Sequence, residues 1–222
     1  MRLILLGLPG AGKGTQAQAV AKRHGLLHVS TGDMFRDAAA EGTELGIQAQ
    51  QYMSRGDLVP DEVTIGMLLE RISMPDAEAG FMLDGFPRTI AQAQALDAAL
   101  DERDGAIDAV LYIEVAEDEL MSRLSGRWSC AECGAIYHEQ HQPPKQEGRC
   151  DNCGASLSQR ADDQPETVKQ RLDVNRDSTE ALAGHYDHAS NLVRIDGTGE
   201  PSQVTARLFE ALDRVPATAR KA

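Results

Sequence analysis

The fold class is decided by residues 1–15, which read Met-Arg-Leu-Ile-Leu-Leu-Gly-Leu-Pro-Gly-Ala-Gly-Lys-Gly-Thr. The apolar run Leu3–Leu6 predicts a buried strand, and a helical pattern begins near Lys13. Between them, glycines allow backbone N–H groups to turn inward around an anion, and the start of the helix adds partial positive charge. This stretch therefore predicts a phosphate-binding loop between a strand and a helix of an α/β fold.

The spacing of Gly7, Gly12 and Lys13 matches the general pattern Gly-x-x-x-x-Gly-Lys-Ser/Thr, with one departure. The residue after the lysine is Gly14, and the hydroxyl follows one position later at Thr15. A lysine at this place can reach the β- and γ-phosphates of a nucleotide. The alternative is a glycine-rich turn that binds nothing, but strand, loop, lysine and helix all stand in the order that phosphate binding requires.

The composition is that of an ordinary globular protein of 222 residues, with 41% hydrophobic and 26% charged residues. The net charge of −13 argues against broad nucleic-acid binding, because counterion release requires a basic surface. No apolar run approaches the ~20 residues that span a bilayer, and the N-terminus has no secretory apolar segment. We therefore expect a cytoplasmic protein that binds neither membranes nor nucleic acids.

Short apolar runs alternate with longer helical patterns, which is typical of βαβ units and a parallel sheet. Right-handed crossovers would bring the carboxyl ends of the strands to one edge, where ligands bind in such folds. The phosphate loop, Thr31 and Asp84 each follow a predicted strand, so we expect them to meet there. The predicted strands are 2–6, 27–29, 81–83, 109–115 and 193–196, and the predicted helices are 14–24, 61–73, 90–100, 118–124, 165–183 and 202–213.

Two inserts interrupt this pattern and divide the chain into three predicted domains. The core is assigned to residues 1–29, 60–126 and 164–222, and its last few residues, ending Ala-Arg-Lys-Ala, have the composition of a frayed tail. The insert of residues 30–59 has a helical pattern. The insert of residues 127–163 is rich in turn residues and contains all four cysteines.

The cysteines form two knuckles, Cys130-Ala-Glu-Cys133-Gly and Cys150-Asp-Asn-Cys153-Gly. This spacing is typical of tetrahedral Zn²⁺ held by four thiolates, with each glycine permitting the tight turn. Disulfides are the alternative, but nothing in the sequence indicates an oxidising compartment. His138 and His141 could replace one ligand. Because four protein ligands leave no open position, we predict a structural Zn²⁺ that stabilises an insert too small to fold by itself.

The phosphate loop, in the form Gly-x-Pro-Gly-x-Gly-Lys-Gly-Thr, resembles the nucleoside monophosphate kinases and above all the adenylate kinase family. Four further segments carry the same resemblance, which extends from Met1 to about Arg214. They are Ser30–Arg36, Leu83–Thr89, Gly126-Arg127 and Arg160–Asp163. The resemblance implies a P-loop NTPase-type five-stranded parallel sheet flanked by helices, a helical insert that binds the nucleoside monophosphate, and a mobile, zinc-stapled lid of the long bacterial type.

The resemblance implies reversible transfer of the terminal phosphoryl group from MgATP to AMP, giving two ADP and maintaining the balance of adenine nucleotides. A phosphate oxygen of AMP is mostly ionised at pH 7, since its second pKa is ~6, so no general base is required. The main barrier is to bring two polyanions together in line, which positive charge and positioning lower. Family members are usually monomers, and no heptad or apolar stripe in this sequence indicates otherwise.

The resemblance also implies roles for individual residues on the ATP side. Asp84 would hold Mg²⁺ through water, with help from Asp33, and Ile136 and Tyr137 would cover the ATP base. The cations assigned to catalysis are Lys13, Arg88, Arg123, Arg160 and Arg171. The residues assigned to ATP are Gly10, Ala11, Gly12, Lys13, Gly14, Thr15, Arg127, Ile136, Tyr137 and Gly199.

On the AMP side, Gln92 would hydrogen-bond the adenine and Arg88 would contact the phosphate. The residues assigned to AMP are Thr31, Arg36, Asp57, Leu58, Val59, Gly85, Phe86, Pro87, Arg88, Gln92, Arg160 and Arg171. Arg36 and Arg171 could instead be helix-surface residues paired with nearby acids. Two positions depart from many relatives, which have lysine or another larger residue where this chain has Ala161 and Gly199.

Residues without a motif around them are expected to have surface or packing roles. They are His24, His28, His185 and His188, and Trp128 is expected to pack under the second insert. Three other functions stay open at this point: a kinase for UMP, CMP or another monophosphate, a GTP-dependent switch, and a zinc adaptor. The long zinc lid and Gln92 favour AMP over the other monophosphates. No Asn-Lys-x-Asp guanine motif occurs, which disfavours the GTP-dependent switch. The acidic net charge disfavours the zinc adaptor.

Overall fold

The fold is described from a computed structural model of residues 1–215. The predicted tail and the end of the predicted core, residues 216–222, lie outside the described residues. The helices are α1 Lys13–His24, α2 Thr31–Ala40, α3 Glu44–Met53, α4 Asp61–Ile72, α5 Ile90–Asp101, α6 Glu117–Ser125, α7 Pro165–His188 and α8 Pro201–Asp213. The strands are β1 Arg2–Leu6, β2 Leu27–Ser30, β3 Phe81–Asp84, β4 Ala109–Glu114, β5 Arg127–Cys130, β6 Ile136–His138, β7 Leu157–Ser158 and β8 Leu192–Asp196.

Five of these strands form the central sheet in the order β2-β3-β1-β4-β8, and every pairing is parallel. Side chains of β1 alternate between two faces: Leu3 and Leu5 pack into one apolar cluster, and Ile4 and Leu6 into another. Both faces are covered by helices, which explains why β1 is a continuous apolar run. The predicted fold class, a parallel five-stranded sheet flanked by helices, is confirmed.

The carboxyl ends of the strands meet at one edge of the sheet. Asp84 ends β3 and lies beside Leu5 of β1 and Ser30 of β2 in the register of the sheet. The loop of residues 7–12 leaves β1 at the same edge and enters α1 at Lys13. The fold thus brings the phosphate loop, the start of α2 and Asp84 together.

The insert of residues 30–59 contains α2 and α3, which pack against each other and around Phe35, Ala49 and Val59. The second insert contains a separate three-stranded antiparallel sheet in the order β6-β5-β7. Its first and last strands, β5 and β7, pair directly, so the chain enters and leaves this insert at one place. These strands were not predicted from the sequence, which is rich in turn residues here and has no apolar run or clear alternation.

One helix end also differs from the prediction. We predicted that α7 ends at Ala183, before Gly184, whereas it continues to His188. The extra turn buries Tyr186, which is 1% exposed, in the apolar cluster on one face of the sheet. Burial of an aromatic ring outweighs the ~1 kcal/mol that a glycine costs inside a helix. Within the described part of the chain, no helix is long and apolar enough to cross a bilayer.

Candidate active site

The phosphate loop is shaped by glycines with positive φ. Gly7 has φ of +147°, and a Cβ there would lie 2.7 Å from the Ile113 carbonyl oxygen, so the loop has no room for a side chain. Gly12 has φ of +88° and is the N-cap of α1. No side chain caps α1 and no acidic residue lies in its first turn. The N-terminal N–H groups and the positive end of the helix are therefore left for an anionic ligand.

Lys13 lies inside this loop, where its Nζ donates to the carbonyl oxygens of Gly7 at 2.7 Å and Leu8 at 3.0 Å. Burial lowers the pKa of Lys13 to about 8; nearby Asp84 opposes this shift, and the guanidinium groups of Arg88, Arg171 and Arg127 add to it. Cations from the core and from the second insert therefore converge on the phosphate loop. Such a cluster is stable only with anions near it.

Asp84 lies against the loop at the position where the pattern departs from the general one. Asp84 Oδ2 lies near the start of α1, 3.4 Å from where a Cβ of residue 14 would be, which is ordinary contact distance. Thr15, one residue later, supplies an exposed hydroxyl. A carboxylate and a hydroxyl at the phosphate loop are suitable partners for the hydrated Mg²⁺ that accompanies ATP.

His28 is a neighbour of Asp84 that sequence reasoning did not connect with the site. Its Nε2 is buried and lies 3.7 Å from Asp84 Oδ2, beyond hydrogen-bond distance. His28 is in β2 and Asp84 ends β3, so the contact comes from the pairing of two strands. The signal in the sequence was the position of His28 near the end of a predicted strand.

A second cleft lies between the helical insert and the core, next to the loop after β3. Thr31 Oγ1 and Arg88 Nε both donate to the Gly85 carbonyl oxygen at 2.9 Å. The predicted AMP residues that line this cleft are Thr31, Arg36, Asp57, Leu58, Val59, Gly85, Arg88, Gln92 and Arg171. Phe86, by contrast, is 1% exposed and packs into the core, so its side chain does not line the cleft.

Three arginines predicted for the site are largely out of water, and each lies near other arginines. Burial and nearby Arg171 lower the pKa of Arg88 to about 10, and burial together with Arg36 and Arg127 lowers the pKa of Arg160 to about 10. Burial also lowers the pKa of Arg171, although Asp162 opposes the shift. Since neighbouring guanidinium groups repel one another, this cluster favours a polyanionic ligand.

Two aspartates at the base of the second insert hold part of this cluster. Arg127 donates to Asp163 through Nε at 2.7 Å and also through Nη2, and Arg171 Nη1 lies 2.7 Å from Asp162 Oδ2 and 3.1 Å from Asp163 Oδ1. Asp163 is fully buried. Arg123 lies apart from this group, because its contacts are with Glu119 and the Gly197 carbonyl oxygen. Arg36 pairs with Asp33.

The four cysteine Sγ atoms lie within 4.8 Å of one another, as a tetrahedral metal site requires. Gly134 and Gly154, both with positive φ, close the two knuckles by donating to the carbonyl oxygens of Cys130 and Cys150. All four cysteines are free of disulfides. The donor set fits Zn²⁺ with four thiolate ligands, which confirms the predicted zinc site.

The two histidines of this insert have other partners. His138 Nδ1 accepts hydrogen bonds from the backbone N–H groups of Gln140 and His141, and its Nε2 lies 3.2 Å from the Ser122 carbonyl oxygen. His138 therefore links the insert to α6 and is not part of the metal cluster. The His141 ring packs on His138 with the centroids 4.5 Å apart.

Two aromatic residues of the insert differ from simple expectation. Tyr137 is 5% exposed and packs with Cys130, Cys150 and Leu157, so its side chain is part of the apolar cluster of the insert, whereas Ile136 is half-buried. The Tyr137 hydroxyl accepts from the Asp151 N–H at 2.7 Å and lies 3.5 Å from Cys150 Sγ. The expectation that Trp128 packs under the insert is wrong, because its side chain is exposed on β5.

The structure gives a reason for one of the two departures. Gly199 has φ of +92°, and a Cβ there would lie 2.5 Å from Gln203 Oε1. That oxygen accepts from the Glu200 N–H and closes the capping box of α8. Glycine at position 199 therefore preserves the start of α8. Ala161 is exposed in a short 3₁₀ turn, and nothing in the structure explains it.

Comparison with known proteins agrees with this site. Residues 5–191 match the family model described as adenylate kinase. The chain is 54% identical over 215 residues to the adenylate kinase of Staphylococcus aureus strain Mu50, covering 97% of this chain and 100% of the relative. It is 53% identical over 212 residues to the adenylate kinase of Geobacillus sp. strain WCH70, covering 96% of this chain and 98% of the relative. With the phosphate loop, the buried arginines and the zinc insert in place, the chain belongs to the adenylate kinase family.

Proposed function

We propose residue roles for the reaction of this family, in which ATP and AMP give two ADP. The observation that carries the proposal is a set of cations around the phosphates' expected position: Lys13 Nζ lies in the phosphate loop, Arg88 and Arg171 line the cleft beside it, and Asp163 joins Arg127 to Arg171. Buried cations that repel one another favour polyanionic ligands, and two nucleotides bound together carry more negative charge than either one alone. The same cations hold the two phosphates in line and stabilise the charge that is redistributed among the phosphate oxygens during transfer. The same cluster has no general base to offer, and an ionised AMP phosphate needs none.

Each cation has a position that suits one part of this reaction. Residues 10–15 and Lys13 bind the phosphates of ATP, and Arg36 and Arg88 bind the phosphate of AMP. Arg127, Arg160 and Arg171 cover the phosphates between the two sites, and Arg123, near Gly197, contributes from the ATP side. When Mg²⁺ is bound with ATP, it supplies charge neutralisation, and Asp84 and Thr15 are the residues that would hold it through water.

The second insert acts as a lid in this proposal, and the insert of residues 30–59 as the AMP-binding unit. Closure excludes water, which otherwise competes with AMP as phosphoryl acceptor, and strengthens the contacts between charges. Two links at the base of the lid support a hinge there: Arg127 with Asp163, and His138 with Ser122. The protein works as a cytoplasmic monomer, with nucleotides as its partners.

The test is ADP formation from ATP and Mg²⁺ with AMP, UMP, CMP or GMP as acceptor, beside a reaction without acceptor. AMP is expected to give two ADP for each ATP consumed, and the other acceptors little. Preference for another acceptor would overturn the assignment of Gln92, and no transfer at all would overturn the roles of the cations.

Arg171 provides a sharper test, because α7 also carries a matched control. Arg171→Met is expected to lower kcat by about 10²–10³, as loss of one preorganised charge contact does. Arg176→Met removes an arginine of the same helix that pairs with Glu117 and Asp173 at the surface, and it should leave kcat unchanged. Equal losses in the two variants would contradict a specific role for Arg171.

A further inference from the structure

The Gln92 side chain is buried, 1% exposed, and its amide is held at both ends. Gln92 Oε1 accepts from the Arg88 N–H at 2.8 Å, and Gln92 Nε2 donates to Asp61 Oδ1 at 2.7 Å. A backbone N–H can only donate and a carboxylate can only accept, so these two contacts allow one orientation of the amide. If the amide turned over, both contacts would become repulsive.

Asp61 is itself held in place, at the first residue of α4. Its Oδ2 accepts from Thr89 Oγ1 at 2.9 Å, and the Thr89 oxygen in turn accepts from the Gln92 N–H at 3.2 Å as the N-cap of α5. The hydroxyl proton of Thr89 is thereby directed toward Asp61. The three side chains form a closed set that ties the start of α4 to the start of α5.

After these contacts, Gln92 keeps one N–H on Nε2 and one acceptor position on Oε1. Gln92 lines the same cleft as Thr31, Val59 and Arg88. A 6-aminopurine offers a donor at N6 beside an acceptor at N1, whereas a 6-oxopurine offers an acceptor at O6 beside a donor at N1. An amide that could turn over would serve both bases, but an amide held in one orientation serves only one.

We propose that Asp61 is a positioning residue that determines specificity: it fixes the Gln92 amide and thereby makes the acceptor site select 6-aminopurine over 6-oxopurine monophosphates. The inference rests on the proposed function, in which Gln92 contacts the base of AMP. A 6-oxopurine would leave buried hydrogen-bonding groups of the site unpaired, and sites built in this way reject the wrong ligand strongly.

The test uses inosine monophosphate, a 6-oxopurine without the 2-amino group of GMP, so that shape does not confuse the result. Asp61→Asn keeps the size of the side chain but can donate as well as accept, which removes one of the two restraints on Gln92. The ratio of kcat/KM for AMP to that for inosine monophosphate is expected to fall at least tenfold. KM for AMP is expected to rise, while KM for ATP stays unchanged.

Two further variants make the outcomes distinct. Glu62→Gln makes the same change of charge at the next, exposed position of α4 and should leave the ratio of kcat/KM values and the KM for AMP unchanged. Gln92→Ala alone should abolish the preference for AMP over inosine monophosphate. In the double variant, Asp61→Asn should cause no further loss of this preference. If Gln92→Ala keeps the preference, the proposed base contact is wrong. If Gln92→Ala loses it and Asp61→Asn keeps it, the role of Asp61 is wrong.

The unmodified protein gives a test that does not depend on the folding of a variant. At concentrations at which AMP saturates the enzyme, inosine monophosphate should still be a poor acceptor. Efficient transfer to inosine monophosphate by the unmodified protein would overturn the proposal.

Discussion

The charge of Lys13 depends on what the site binds. Burial and the neighbouring guanidinium groups hold its pKa at about 8, below the usual value near 10.5. Phosphates beside Lys13 favour its charged form, so nucleotide binding raises this pKa. At pH 8 about half of the free protein carries a neutral Lys13, and binding must therefore take up protons.

We expect uptake of up to about half a proton when MgATP binds at pH 8. At pH 6 the uptake by Lys13 should vanish, because the free protein is already protonated there. Calorimetric titration in two buffers with different ionisation enthalpies measures the uptake. Lys13→Met should remove it, and the same uptake in this variant would contradict the assignment to Lys13.

At the scale of residues, the sequence predicts what lies within one motif and misses what packing assembles. The phosphate loop and the two knuckles are local, so spacing alone reveals them. Asp61 and Gln92 are 31 positions apart, and His28 reaches Asp84 only through strand pairing. Contacts of this kind have no signature in a single sequence, because they depend on the register of the sheet and the ends of helices.

At the scale of elements, Gly46 sets how closely α2 and α3 can approach. A Cβ there would lie 2.2 Å from the Ala38 carbonyl carbon and from the Ala39 nitrogen, which are backbone atoms that cannot move aside alone. Gly66, in α4, has nothing within 4 Å of the same position. Close packing therefore requires glycine at position 46, whereas no close contact requires it at position 66.

Gly46→Ala is expected to force α2 and α3 apart, lower the melting temperature and raise KM for AMP several-fold. Gly66→Ala is the control and should stabilise the protein by about 0.5–1 kcal/mol, because alanine is the better helix former. Thermal unfolding and AMP kinetics on both variants provide the measurement. A Gly46→Ala variant as stable as the Gly66→Ala variant would contradict the close packing.

The zinc site stabilises the second insert, whose apolar core is too small to do so. The apolar cluster of that insert contains only four buried residues, Cys130, Tyr137, Cys150 and Leu157, and two of them are metal ligands. Structural zinc sites contribute on the order of 10–16 kcal/mol to the folding of small units. Most of the stability of the β5, β6 and β7 sheet therefore depends on the metal.

Removal of zinc by a chelator, or Cys133→Ser, is expected to unfold the insert and leave the central sheet folded. Limited proteolysis should then cut within residues 127–163, and phosphoryl transfer should fall sharply. Added Zn²⁺ should reverse the effect of the chelator but not that of Cys133→Ser. Unchanged resistance to protease without metal would contradict this account.

The elements of the core were predictable because its strands are apolar runs and its helical patterns are long. The insert strands were not, since Arg127–Cys130 contains no apolar run and Leu157–Ser158 has only two residues. The end of α7 was misplaced because Gly184 counts against a helix locally, while Tyr186 is buried by the rest of the fold.

At the scale of the whole molecule, Asp163 is the point where the lid is tied to the core. It is fully buried, and it holds Arg127 at the start of the lid and Arg171 on α7. Removing one member of a buried ion pair leaves the remaining charges uncompensated, at a cost of about 3–5 kcal/mol. In the proposed lid mechanism, opening of the lid would relieve that cost by exposing the arginines to water.

Asp163→Asn is therefore expected to shift the lid toward an open state and lower kcat at least tenfold. Asp173→Asn, which removes an exposed carboxylate from α7, is the control and should have little effect. Energy transfer between dyes on the lid and the core should report a longer distance only in Asp163→Asn. An unchanged distance would contradict the role of Asp163 as a clamp.

The pairing of β5 with β7 has a consequence for how this protein can change during evolution. Because the segment enters and leaves at one place, where Gln159 Nε2 also donates to the Ser125 carbonyl oxygen at 2.6 Å, a short bridge could join the two ends. The five-stranded sheet would keep its structure. The second insert, with its zinc site, can therefore be gained, lost or exchanged as one piece during evolution, while the fold of the rest of the protein is kept.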